Sequence, residues 1–230
     1  MRQLLLLLFT ISFISVSGQD GSAFEGIFNS VAVLDMSPIG KQFKDDDAYS
    51  EEERKKILQK QYLTVAYNPA LVDEFTTPAY LRYNLYNDQM EFVKNENIYY
   101  LKKEKGRRVH FTTLNTTYKV FELYGDLEFF LVQVEAKSSL LVKQESRFIE
   151  PRKANSTYAQ DKKADFKRRK DVYYLALNGG SLVKLSTKKK EFATAFKGKE
   201  KEMKAYIKKN KLNPKKLKDM EIAVTYFNTL

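Results

Sequence analysis

From Pro78 to Lys143, and again from Asp171 to Leu185, the chain is dense in short runs with the composition and the period of two of β-strands. The pattern is sharpest over Ala79–Val93, which reads Ala-Tyr-Leu-Arg-Tyr-Asn-Leu-Tyr-Asn-Asp-Gln-Met-Glu-Phe-Val. A two-residue turn at Asn87-Asp88 pairs Leu85 with Met90, Tyr83 with Phe92, Asn84 with Glu91 and Tyr86 with Gln89. One face of that hairpin is apolar and the other mostly polar. Asn and Asp both tolerate the positive φ that such a turn needs. A one-residue slip would turn the apolar set outward, so pattern and turn fix one register.

Further short strands follow at Asn97–Lys102, Arg107–Phe111, Thr117–Leu123, Leu127–Val134 and Leu140–Lys143, separated by turns at Lys103–Gly106, Gly125-Asp126 and Ala136–Ser138. Leu127–Val134 is the most apolar of them and is expected to be a central strand covered on both faces. Asp171–Leu177 and Ser181–Leu185 form a second hairpin around Asn178-Gly179-Gly180. Upstream, Phe24–Leu34 and Tyr62–Tyr67 read as strands, the second stopped by Asn68-Pro69.

Elsewhere the period changes to that of a helix. Ser50 with Glu53 makes a capping box for a short helix through about Gln59. Phe192, Phe196, Met203 and Ile207 line one stripe over Thr187–Lys209, with a break or kink at Gly198. Asn213-Pro214 restarts a helix whose apolar positions are Leu217, Met220, Val224 and Phe227. The expected fold is therefore α+β, a mainly antiparallel meander (curved sheet or partial barrel) backed by a C-terminal helical pair. The expected divisions are a signal peptide over 1–18, a strand and short helix over 19–68, the β core over 69–149, a basic polar connection over 150–170, and a hairpin with two helices over 171–230 packed on the same domain.

Arg2, the apolar run Leu4–Ile14 and the small residues Val16-Ser17-Gly18 have the form of a secretory signal. The run is shorter than a membrane-spanning helix, and no second such stretch follows, so a soluble periplasmic or extracellular chain is expected after cleavage. Cysteine is absent, which excludes acylation of a bacterial lipoprotein signal and argues against an extracellular animal domain of this size. The sequons at Asn115 and Asn155 then carry no consequence. A formal charge of +11 is compatible with a solvated lysine surface or with a polyanion partner. Nucleic acid is not expected for an exported chain, which leaves an envelope protein, anionic lipid or polysaccharide. The densest basic run, Lys167-Arg168-Arg169-Lys170, is the candidate anion-binding site.

From about Pro69 onward the chain resembles a group of uncharacterised secreted proteins from Bacteroidota. The resemblance rests on Leu81–Phe92, Lys170–Leu175, Lys188–Phe192, Tyr206–Leu212 and Tyr226–Leu230, taken in that order. It implies export and a bacterial envelope setting, and it brings no catalytic residue with it.

Few residue types here suit catalysis. His110 is the only histidine and lies in an expected strand between Val109 and Phe111. With no cysteine, the commonest zinc sets and any Cys–His pair are excluded, and no Gly-x-Ser-x-Gly elbow accompanies His110. Asp45-Asp46-Asp47 lacks the spacing of a calcium loop. Asn178-Gly179-Gly180-Ser181 lacks the helix that a phosphate-cradling loop needs. Paired carboxylates survive this screen, with Asp88, Glu91 and Asp126 in or near turns. The sequence thus favours a non-catalytic module that binds or scaffolds, with no cofactor and no metal. A carboxylate-dependent envelope hydrolase and a basic adaptor for anionic lipid or polysaccharide are the alternatives.

Overall fold

The computed structural model describes residues 28–29, 49–73, 75–154, 160–178 and 180–230. The 1–18 leader, the charged loop at 44–47 and the Phe24–Leu34 strand apart from Phe28 and Asn29 lie outside these residues.

In chain order the strands are β1 (Phe28–Asn29), β2 (Asn68–Val72), β3 (Ala79–Asn84), β4 (Gln89–Lys94), β5 (Asn97–Leu101), β6 (Arg108–Phe111), β7 (Thr116–Leu123), β8 (Asp126–Val134), β9 (Ser139–Lys143), β10 (Ser146–Ile149), β11 (Asp165–Arg168), β12 (Val172–Leu177) and β13 (Ser181–Lys184). The helices are α1 (Glu51–Gln59), α2 (Lys189–Thr194), α3 (Glu200–Lys209) and α4 (Leu217–Phe227). Among the described residues eleven strands form one antiparallel sheet in the order β1-β5-β4-β3-β2-β6-β7-β8-β9-β12-β13. β10 and β11 pair separately as a two-stranded ribbon. Within the described residues this order leaves β1 and β13 as edges and the sheet open. The fold is α+β, with a curled, half-barrel sheet.

The curl is legible in contacts across the concave face. Tyr83 on β3 packs against Tyr118 on β7 and Phe129 on β8, with ring centroids 5.0 and 6.0 Å apart. β3 and β8 stand four places apart in the sheet, which would separate them by about 19 Å if the sheet were flat. The inward residues Leu81, Tyr83, Met90, Val109, Phe111, Tyr118, Val120 and Phe129 are all buried in this core. A second core, built from Phe192, Phe196, Met203, Ile207, Met220 and Val224, seats the three C-terminal helices on Leu140 and Leu175. β8 is covered on both faces, with Phe129 in the concave core and Phe130 packed beside Phe121, Leu141 and Tyr174. α1 carries the expected capping box, and its Ile57 packs with Ala164 and Phe166 of the ribbon region.

Several local expectations are corrected. The first hairpin pairs Arg82 with Glu91, Tyr83 with Met90 and Asn84 with Gln89, so its connection is the four residues Leu85–Asp88 and the register lies two residues from the expected one. A shift of two preserves the faces, and Leu85 and Met90 still share the concave core. Asn84 accounts for the longer loop, because its side-chain Oδ1 accepts from the Tyr86 and Asn87 backbone amides at 3.0 and 3.1 Å. Tyr62–Tyr67 is reduced to a single bridge from Tyr62 to Asn84, and the strand begins instead at Asn68, beyond the expected stop. Pro69 is tolerated there because pairing on both sides starts only at Ala70.

Within the expected connection 150–170, Asp165–Arg168 is strand β11, held by its ladder to β10. The C-terminal helical pair is three helices. Gly198, at φ +81°, separates α2 from α3, and Pro214 lies in a turn before α4. Asp219 accepts from the Asn213 amide at 2.8 Å, which ties that turn to the first turn of α4.

Phe196 is fully buried between Phe192 and Phe227, with centroids 5.2 and 5.0 Å away. Phe196→Ala is expected to cost about 3–5 kcal/mol in urea unfolding. Tyr124→Ala, at a residue 89% exposed, should stay within about 0.5 kcal/mol. Equal losses would contradict the helical core described.

Candidate functional site

The four-residue loop delivers Asp88, at φ 54°, to the concave side of the sheet. Its carboxylate accepts from the Tyr83 hydroxyl, from the ammonium of Lys103, from Lys143 Nζ at 2.7 Å and from the Phe129 amide at 3.2 Å. Lys143 Nζ also lies 2.9 Å from Glu128 on the neighbouring β8, and its side chain is only 5% exposed. Two carboxylates and two ammonium groups thus balance one another at the mouth of the half-barrel. Burying one of these charges alone would be costly, so each partner depends on the others.

Asp88, Glu128 and Lys143 of this cluster floor a polar cleft of about 320 Å³. Its walls come from the Leu85–Asp88 loop, Glu128, Lys143 and the segment Glu145-Ser146-Arg147, with Arg169 opposite. The Ser146 amide donates to Leu85 O at 3.0 Å and stitches the loop to the ribbon. Arg169 reaches Glu145 at 3.4 Å. The Ser146 hydroxyl oxygen is buried and has no hydrogen-bond partner among the described residues.

On the convex side the same hairpin buries a second ion pair. Arg82 donates to Glu91 through Nε and Nη2 at 2.9 and 2.8 Å. Its guanidinium lies over the Tyr62 and Tyr67 rings, 3.8 and 4.6 Å from their centroids. Asn84 donates to both Glu91 and Gln61, so the Glu91 carboxylate is enclosed by donors. A third buried cation, Arg107, bonds Asp73, Glu104 and the Lys102 carbonyl where the chain crosses from β5 to β6.

Of the acids in or near turns, Asp88 and Glu91 are therefore bound in separate ion pairs on opposite faces. Asp126 is exposed at the start of β8 and meets neither. His110 bonds Thr117 Oγ1 at 2.9 Å across the β6–β7 ladder, a structural contact. The basic run is divided. Arg168 pairs with Asp171, Arg169 lines the cleft, and Lys167 stands opposite Arg147 in the ribbon ladder. Lys170 is exposed beside them.

Glu128 and Lys143 carry no mark of a site in the sequence, because one charge in a strand buried on both faces reads only as an interruption of an apolar run. The one available signal was a charge within each of two strongly apolar runs. Among the described residues no group of three or more His, Asp or Glu side chains is placed to hold a metal, and no helix is long and apolar enough to cross a membrane.

Burial raises the phenol pKa of Tyr83 well above its usual 10.0, and the neighbouring Asp88 charge adds to the effect. Burial likewise raises Tyr118 and, with Glu91 adding to it, Tyr62. Such phenols remain protonated in the folded chain while their unfolded counterparts ionise. Stability should be whole below pH about 10 and fall above it, by about 1.4 kcal/mol per pH unit for each phenol. Urea midpoints between pH 9 and 11, followed with tyrosinate absorbance, would show this, and Tyr83→Phe should flatten the decline. A wild-type midpoint that is flat across this range would contradict the burial.

Lys143→Met should cost about 3–5 kcal/mol, since it takes the cation from Glu128 and leaves Asp88 with Lys103 alone. Combining it with Asp88→Asn should lose about 0.5–3 kcal/mol less than the two separate losses together. Strict additivity in a double-mutant cycle by urea unfolding would show that the two groups are not coupled.

Set beside known proteins, the chain matches no family profile, and no curated protein or solved structure is similar to it.

Proposed function

We propose that the chain is an exported, non-catalytic binding module that holds an acidic polysaccharide on its β10–β11 ribbon. The observation that carries this reading is the register of the ribbon. Arg147 stands directly opposite Lys167, and beyond the ladder Arg152 and Lys162 exchange both backbone hydrogen bonds. None of these four side chains has a carboxylate partner among the described residues. Like charges set opposite one another weaken a strand pair, and a string of bound anions relieves the repulsion. The overall charge of +11 favours approach of such a chain.

A lipid surface is a poorer fit. Interfacial binding needs apolar anchors beside the cations. Among the described residues the exposed large apolar ones, such as Phe75, Tyr80, Val93 and Tyr124, all lie outside the ribbon. A carboxylate hydrolase fits less well too. Asp88 and Glu128 share a cleft, but both are bound to the Lys143 ammonium, which leaves neither poised as a free acid or nucleophile.

Heparin affinity tests the proposal. The wild type should be retained and should elute with rising salt, as a screened electrostatic contact must. The variant Arg147→Gln/Arg152→Gln/Lys162→Gln/Lys167→Gln should elute near the void while keeping its circular dichroism. Lys201→Gln/Lys204→Gln/Lys208→Gln, on the exposed side of α3, should elute with the wild type. Equal losses in the two variants would reduce the effect to net charge and defeat the proposal, as would binding to anionic vesicles in preference to heparin.

A further inference from the structure

We infer that the cleft between the Leu85–Asp88 loop and the ribbon takes a single acidic sugar unit, such as a uronate, of the polymer that the ribbon carries. This rests on the polysaccharide reading of the ribbon and assigns it a specificity subsite. The cleft volume, about 320 Å³, lies at the lower end of the roughly 300–1,000 Å³ usual for small-ligand sites. Its lining matches a ligand that carries hydroxyls on one side and a carboxylate on another.

The hydroxyl side is Glu128, Glu145 and Ser146. Carboxylates accept hydrogen bonds and repel compact anions, so they select sugar hydroxyls over phosphate or sulfate. Ser146 is only 6% exposed, and its hydroxyl has no partner within the described residues. Buried polar groups are nearly always bonded, so the Ser146 hydroxyl is the one group on this side that still needs a partner among the described residues. The carboxylate side is Arg147 and Arg169 at the rim, whose guanidinium forks suit a planar carboxylate. Arg169 is held only loosely, at 3.4 Å from Glu145 with more than half of its side chain exposed, and is free to turn to a ligand.

Tyr86 supplies the aromatic wall in a chain without tryptophan. Its ring is fixed edge-on to Phe166, with centroids 5.2 Å apart. The floor does not move: Lys143 and Asp88 are already bound to one another and leave the rim groups to do the recognising.

Saturation-transfer NMR and titration calorimetry of the full chain with glucuronate, glucose and inorganic phosphate test the assignment. Glucuronate should bind in the millimolar range, with glucose and phosphate at least about tenfold weaker. Ser146→Ala should weaken glucuronate about fivefold or more while leaving unfolding stability unchanged or raised, because it removes an unsatisfied buried hydroxyl. The same variant should elute from heparin at the wild-type salt, and Arg152→Gln/Lys162→Gln should do the reverse.

Heparin retention without glucuronate binding would overturn the cleft assignment and leave the ribbon reading standing. Glucuronate binding that Ser146→Ala does not change, or that phosphate matches, would overturn it too. Glucuronate binding sensitive to Ser146→Ala in a chain that heparin does not retain would uphold the cleft and remove the ribbon.

Discussion

The ammonium of Lys143 is the constraint on which the rest of the structure depends. It lies 2.7 Å from Asp88 and 2.9 Å from Glu128 with almost no access to solvent. Asp88 comes from the tip of the β3–β4 hairpin, whereas Lys143 and Glu128 come from strands several places around the sheet. Their meeting requires the sheet to curl until the tip of that hairpin reaches the ends of β8 and β9. The Tyr83 hydroxyl and the Phe129 amide, both donating to Asp88, fix where along the curl that closure occurs. Hydrophobic burial supplies most of the stability of the half-barrel, but apolar packing alone is indifferent to small slides. A buried ion cluster penalises any slide that separates its members.

The same logic recurs on the convex side, where Arg82 and Glu91 face each other across the β3–β4 ladder between two tyrosine rings. It recurs where Arg107 pins the crossing from β5 to β6. These three buried cations differ in kind from exposed pairs such as Lys56–Glu52 and Lys188–Glu191, whose side chains are mostly in water. The exposed pairs add little to stability. The buried ones determine which strand positions meet. The β3–β4 hairpin is thus clamped on both faces, by Asp88 within and by Glu91 without, and its loop becomes a fixed wall for the adjoining cleft.

Alternation of apolar residues made nearly every strand from Ala79 to Lys184 legible in the sequence, together with the double coverage of β8 and the helical stripes of Phe192, Phe196, Met203 and Ile207. The register of the first hairpin was not legible. Turn propensity favoured Asn87-Asp88, but side-chain capping by Asn84 and the pull of Lys143 on Asp88 outweighed it, and both act through groups distant in sequence or invisible to a turn rule. The ribbon strand Asp165–Arg168 was hidden by its charge, since its only buried side chain is Phe166. Asp88 stands in a recognisable turn sequence, whereas Glu128, Lys143 and Ser146 carry no such mark. A site assembled from four distant segments leaves no spacing to read.

The functional proposals follow from which charges are satisfied and which are not. Those at the floor of the cleft neutralise one another, and those on the ribbon and rim face water. The most direct test of the closed cluster is the side-chain ammonium NMR spectrum. Lys143 should give a sharp, slowly exchanging ammonium signal at neutral pH, unlike the surface lysines, and that signal should vanish in Lys143→Met and broaden in Asp88→Asn. An ammonium signal for Lys143 that exchanges as fast as those of the surface lysines would contradict a buried cluster and, with it, the closure of the half-barrel around Asp88.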